Sequence, residues 1–238
     1  ISLAVVATTA PGLLLQSFMR LQAIDRGFQP ENVAVLPLTV PTDRYKDVRD
    51  RVSLFRDLLA RIEALPGVVS ATSIHFGPGT GSGGLSGTNQ FEGQTEDEAE
   101  ANPWGSFDSI TPAYFRTLGV PIREGRDFTD GDTADAAPVA IVSESVARYY
   151  WPGQSAVGRR FKTEGDSTWS TVVGVVEDVM QFTFRDTPQP AFYYPMSGPT
   201  PRSWAVGSPA YVLKTPRAET IAADVRALVR EVAPEAPM

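Results

Sequence analysis

Residues 31–76, ENVAVLPLTVPTDRYKDVRDRVSLFRDLLARIEALPGVVSATSIHF, change the period of their apolar residues twice. In 31–41 the alternation puts Ala34, Leu36, Leu38 and Val40 on one face of a strand. Pro37 has no N–H to give to a ladder, so at least one side of that strand should be unpaired there. In 51–67 the period becomes 3.6. Val52, Phe55, Leu58, Leu59, Ile62 and Leu65 form the stripe of a helix, and Pro66-Gly67 stop it. A second strand is expected over 68–76. The three elements make a β-α-β unit, right-handed if its strands are parallel.

The tail of the chain repeats half of this pattern. AYVLKTP (210–216) reads as a short strand. Thr215 should cap a helix with Pro216 at its first position, and Ile221, Val225, Leu228 and Val232 give that helix its apolar stripe. Neither piece can bury its apolar face alone. Strand 211–214 is therefore expected beside 33–40 or 68–76, with both helices on one face of a shared sheet. A closing strand after the last helix is missing, which implies an unpaired sheet edge.

Short strands and turns fill the middle. WGSFDSI (104–110) reads as a strand. TPAYFRTLG (111–119) reads as a compact helix with Thr111 as cap, Pro112 at its first position and Gly119 as left-handed stop. VAIVSESVARYYWPG (139–153) passes from strand to helix, with Ser143 capping and Pro152-Gly153 terminating. GRRFKT (158–163) and STWSTVVGVVEDVMQF (167–182) are strands, the second apolar enough to be buried. TEDEAEA (95–101) reads only as an acidic biased run.

Composition narrows the chemistry. The chain has 238 residues, 42% of them hydrophobic, enough for one large domain or two small ones. A formal net charge of −7 lacks the basic footprint of a nucleic-acid binder. Without cysteine there is no disulfide, thiolate metal site or cysteine nucleophile. The single histidine, His75, would have to serve any triad and is read as structural. ISLAVVATTAPGLLLQSFM carries no charge before Arg20. Residues 1–24 are read as the end of a membrane helix clipped at its front, against the alternative of a buried N-terminal helix. The chain is read as truncated at both ends.

Several constellations invite a chemical reading and fail it. GTGSGG (79–84) has the G-x-G-x-x-G spacing behind a strand, yet no helix opens behind it to face a phosphate. Asp127, Asp130, Asp132 and Asp135 cluster in RDFTDGDTADA, but the calcium-loop spacing fails at Ala134 and Asp135. Asp108, Glu144, Glu177 and Asp178 could supply an acidic pair, but from sequence alone their separation is unknown. Tyr149, Tyr150 and Trp151 read as packing, and a carbohydrate module would need Trp104, Trp151, Trp169 or Trp204 on a common face.

Three segments carry a family resemblance: ITPAYFRTLGVPIREGRDFTDGD (110–132), VAIVSESVARYYWPGQSAVGRRF (139–161) and VVGVVEDVMQFTFRDTPQPAFYYPM (172–196). Together with LLLQSFMRLQAIDRGFQPENV (13–33) they resemble the periplasmic core domain of MacB-like ABC transporter permeases, most of all the orphan type with FtsX-like membrane regions. The chain departs from the pattern at Thr111, Ser143-Glu144, Pro37 and Pro11. The resemblance implies an α+β fold, in which a porter-like β-α-β subdomain (25–76 and 210–238) is interrupted by a β-rich insertion (77–209). On that reading the glycine loop is the exit into the insertion. The resemblance further implies a non-catalytic domain facing the periplasm from the bacterial inner membrane. Its expected partners are a second permease copy or pseudo-dimer mate, a cytoplasmic ATPase subunit or domain, and a periplasmic adaptor. It assigns no catalytic, cofactor-binding or metal residue. The rival is a secreted or anchored hydrolase using an acidic pair.

Overall fold

The computed structural model describes residues 27–39, 47–75, 85–133, 135–163, 166–180, 189–198 and 209–233. The expected membrane helix at 1–24, the glycine loop and Trp204 lie outside these residues. Among the described residues no helix is long and apolar enough to cross a membrane.

The β-α-β unit is formed by β1 (Val33–Pro37), α1 (Val48–Glu63) and β2 (Ser70–Ile74). The middle of the chain supplies β3 (Leu85–Gly87), β4 (Asn89–Phe91), α2 (Glu96–Glu100), β5 (Gly105–Ile110), α3 (Tyr114–Leu118), β6 (Ile122–Gly125), β7 (Val139–Ser143), α4 (Glu144–Tyr150), β8 (Arg160–Thr163), β9 (Ser170–Val176) and β10 (Ala191–Pro195). The tail gives β11 (Ala210–Lys214) and α5 (Ile221–Val232). The fold is α+β, built on one mixed sheet of order β1-β11-β2-β5-β10-β7-β9-β8-β4, with β3 against β5 and β6 against β9.

Strand β11 lies between β1 and β2 and runs antiparallel to both. β1 and β2 are therefore parallel, which is why a helix must carry the chain from one to the other. The side chains of β1, β2 and β11 alternate between two cores. Ala34, Leu38, Ala71, Tyr211 and Leu213 face α1 and α5, where they meet Phe55, Leu58, Ile62, Ile221, Val225 and Val229. Ile74, Ala210 and Val212 face the other way, onto Tyr114, Phe115 and Leu118 of α3. A third core lies under α4, where Phe91, Phe107, Phe161, Phe192 and Tyr194 pack with Val142 and Val146.

Among the described residues, the three-stranded part joins the rest of the sheet through one ladder pair, Ile74 with Ile110. Beyond Ile110 the chain turns into α3, and β10 continues the sheet parallel to β5. The sheet is thus continuous, and among the described residues the join between β2 and β5 is a narrow seam.

Three expected caps are corrected by the structure. Thr111 does not cap α3. Its hydroxyl accepts from Ser73 N at 2.8 Å and pairs with Thr72 Oγ1 at 2.9 Å, while Ala113 takes the N-cap position with φ of 70° and no side-chain bond. Ser143 holds the N-cap position of α4 but makes no cap bond, because its hydroxyl is used by Ser145 Oγ and by the Ala191 N–H. Thr215 accepts from Arg217 N within a turn, so α5 begins at Ile221 rather than at Pro216. The acidic run contains α2, closed by a reciprocal capping box: Glu98 N donates to Thr95 Oγ1 and Thr95 N to Glu98 Oε2.

Candidate functional site

The seam between Ile74 and Ile110 is reinforced by buried polar groups. Thr111 N donates to Ser73 O at 3.0 Å and His75 N to Ser109 O at 3.0 Å. Ser73 Oγ donates to the Met196 thioether at 3.3 Å, and Met196 N to Ile110 O at 2.8 Å. Thr72, Ser73, Thr111 and Met196 are all buried, so these bonds close groups that would otherwise cost about 1–3 kcal/mol each to leave unmade. His75 is half-buried, and that burial lowers its pKa.

Above this seam lies a cleft of about 370 Å³. One wall is the face of α1 carrying Arg56, Leu59, Ala60 and Glu63, at helical spacing i, i+3, i+4 and i+7. The opposite wall is the turn Thr129–Thr133, and Pro112, Pro195 and Met196 lie between. The turn is fixed by Asp132. Its carboxylate takes the Arg126 guanidinium fork at 2.8 and 2.9 Å and also accepts from Thr129 N and Oγ1. The Arg126 fork and the Thr129 bonds hold the Asp132 pKa below its ordinary value. Asp127 accepts from Phe128 N, and its half-burial pushes its pKa up.

Of the aspartates in the cluster, Asp132 has its oxygens engaged, and among the described residues no three acidic or histidine side chains converge as metal ligands would. Three of the four acidic-pair candidates are engaged by arginines. Glu177 meets Arg123 at 3.1 Å and Glu144 meets the same guanidinium at 3.9 Å. Asp178 accepts from Ser145 N at 2.8 Å and from Arg148 at 2.7 Å, so it is the N-terminal cap of α4 that Ser143 was expected to be. Asp108 is buried on β5 and accepts from Ser109 N. Glu144, Glu177 and Asp178 thus gather at one end of β9, each held by an arginine, while Asp108 stands on another strand.

The aromatics are distributed among separate neighbours. Tyr150 stacks on Phe91 and Trp151 meets Phe91 edge-on at 5.3 Å, so both close the third core, whereas Tyr149 stays exposed. Trp169 sits beneath Arg160 and Lys162, and Trp104 is exposed ahead of β5. They present no common binding face. The residues missed in sequence were Arg56, Ala60 and Glu63 on the α1 wall of the cleft, and Met196 beside them. The one signal for them was the face of α1 beside the buried stripe, where Leu59, at the edge of that stripe, and Ala60 sit between two charges.

The sequence matches the MacB-like periplasmic core domain over residues 1–232. The fold is similar to the periplasmic region of MacB from Actinobacillus actinomycetemcomitans, with a TM-score of 0.57 at 16% identity, covering 90% of this chain and 89% of that one. It is also similar to the extracellular domain of the noncanonic ABC-type transporter YknZ from Gram-positive bacteria, with a TM-score of 0.53 at 16% identity over 83% of this chain and 93% of that one. No match was found among curated proteins. The class is that of extracytoplasmic domains of ABC transporter permeases. Within it, the chain belongs to the MacB-like periplasmic core domain family.

Proposed function

We propose that the chain works as the moving extracytoplasmic part of an ABC permease. It carries out no bond chemistry of its own. It contacts substrate or a periplasmic partner, and it couples ATP hydrolysis in a separate cytoplasmic subunit or domain to motion outside the inner membrane. A permease homodimer or pseudo-dimer and a periplasmic adaptor complete the assembly. The mechanical division runs between 25–76 with 210–238 on one side and 77–209 on the other.

The observation that carries this reading is the seam. Among the described residues, one ladder pair joins the two parts of the sheet, and a cleft opens beside it on the α1 side. On the opposite face α3 packs under β2 and β11, with Thr117 Oγ1 donating to Ser70 Oγ at 3.1 Å. Motion would therefore pivot at Ile74 and Ile110 and change the width of the cleft rather than part the sheet. The rival hydrolase would need one free acid and one free base, and the arginines on Glu144, Glu177 and Asp178 work against that.

The test uses the absence of cysteine in this chain, with any cysteine elsewhere in the permease and its ATPase replaced by serine. Ala60→Cys and Thr133→Cys put one thiol on each wall, and a short bismaleimide joins them in the full permease with its ATPase. Locking the cleft should slow ATP turnover at least several-fold, and the single-cysteine proteins treated alike should not change. Unchanged turnover in the locked protein would remove the coupling role.

A further inference from the structure

The charges on α1 are not alike in their surroundings. Arg61 is paired twice, with Asp57 at 3.2 Å and with Glu231 of α5 at 3.4 Å. Arg56 and Glu63, on the face lining the cleft, have no such partners among the described residues. The helix itself explains this. An arginine pairs with an acid three or four positions away, and the positions after Arg56 are Leu59 and Ala60. Seven residues separate Arg56 from Glu63, a rise of about 10 Å, which is too far for the two to meet.

The cleft therefore offers a cation and an acid two helical turns apart on α1, a backbone rise of about 10 Å, with Leu59 and Ala60 between them. Pro112, Pro195 and Met196 lie between this strip and the far wall, where Asp130 adds a second acid. Asp130 has no ion pair among the described residues, whereas Asp132 beside it is neutralised by Arg126. A volume of about 370 Å³ is within the range of small-molecule pockets.

We propose that this cleft binds a zwitterionic amphiphile. The cationic group sits at the Glu63 end, the anionic group at Arg56, and the apolar body lies along Leu59, Ala60 and Met196. A purely apolar ligand would leave three charges desolvated without partners, which is costly. A purely anionic one would face two acids. The proposal gives the substrate-contact part of the function above a site and a chemical class. It rests on that reading for its biological meaning only, because binding is measured on this chain without ATP, ATPase or membrane transport.

The experiment follows the methyl resonance of Met196, one of four methionines in the chain. The probe is 8-aminooctanoate, whose extended chain is about as long as the backbone rise from Arg56 to Glu63. A ligand of this size should saturate at about 1–10 mM, shifting Met196 while Met180 stays in place. Octylamine and octanoate, each with one charge removed, should bind about fivefold more weakly. Both substitutions are at exposed positions, so the fold is retained. Arg56→Gln should reduce 8-aminooctanoate to the affinity of octylamine, and Glu63→Gln should reduce it to that of octanoate. Octylamine binding as tightly as the zwitterion would overturn the proposed class in favour of a plain cation site. No saturable shift of Met196 up to about 50 mM would overturn the site itself, leaving the coupling role to the cleft-locking experiment.

Discussion

Ala113 holds a φ of 70° at the start of α3, a region that costs a non-glycine residue on the order of 1 kcal/mol or more. Asp127 takes a backbone hydrogen bond from Ala113 and another from Phe128, so the strained turn is tied to the GRDF segment that follows β6. Ala113→Gly should therefore stabilise the protein by about 0.5–1 kcal/mol in urea unfolding, the strain relieved exceeding the entropy lost. Gly125 sets the opposite limit. At φ of 72° a side chain there is strained and would also run into the backbone carbonyl of Val173, so Gly125→Ala should cost more than about 2 kcal/mol. Asp132 sets the acid limit. Its folded pKa is depressed, chiefly by Arg126, so its contribution is complete above the unfolded value of 3.8 and is lost as pH falls below it. Asp132→Asn should lower stability at pH 7 and flatten the acid limb of a pH–stability curve; an unchanged limb would show that other groups control acid unfolding.

Helix α4 is anchored from β9 rather than from its own first residue. Asp178 accepts from Ser145 N and also from Arg148, one turn further on. Asp178→Ala should cost about 1–2 kcal/mol through the lost cap, with faster amide exchange confined to 144–150. Ser143→Ala should leave that exchange unchanged, because Ser143 bonds to Ala191 N and Ser145 instead. The seam has its own test. Thr111→Val removes the acceptor of Ser73 N and should cost about 1–3 kcal/mol, raising exchange across 70–75 and 108–111 before the rest of the sheet. The periodic elements were legible because one buried face dictates a stripe: Phe55, Leu58 and Ile62 on α1, and Ile221 and Val225 on α5. The caps were less legible, since Thr111 and Ser143 were claimed by partners 38 and 48 residues away. α2 was legible in principle, because T-x-x-E at 95–98 is a capping-box spacing that was read as an acidic run. β6 was not, since its four residues are all exposed and show no alternation.

At the scale of the molecule, two segments far apart in sequence share one core, and the reason was visible in each: an amphipathic helix with too few strands to cover. Leu36 and Leu38 of the first segment and Tyr211 and Leu213 of the last meet under the same two helices. The cleft was not legible in this way, because its opposite walls come from 56–63 and 129–133, and only the folded seam brings them together. A single ladder pair beside a cleft on one face, with α3 filling the other, makes a pivot of the seam, and the account depends on that pivot moving. Spin labels on Ala60→Cys and Thr133→Cys in the full permease with its ATPase measure the width of the cleft directly. The predicted result is a distance distribution that changes between the nucleotide-free and ATP-bound states, while labels within one wall, at Arg56→Cys and Glu63→Cys, keep theirs. A cleft whose width stays the same through the whole nucleotide cycle would contradict the account.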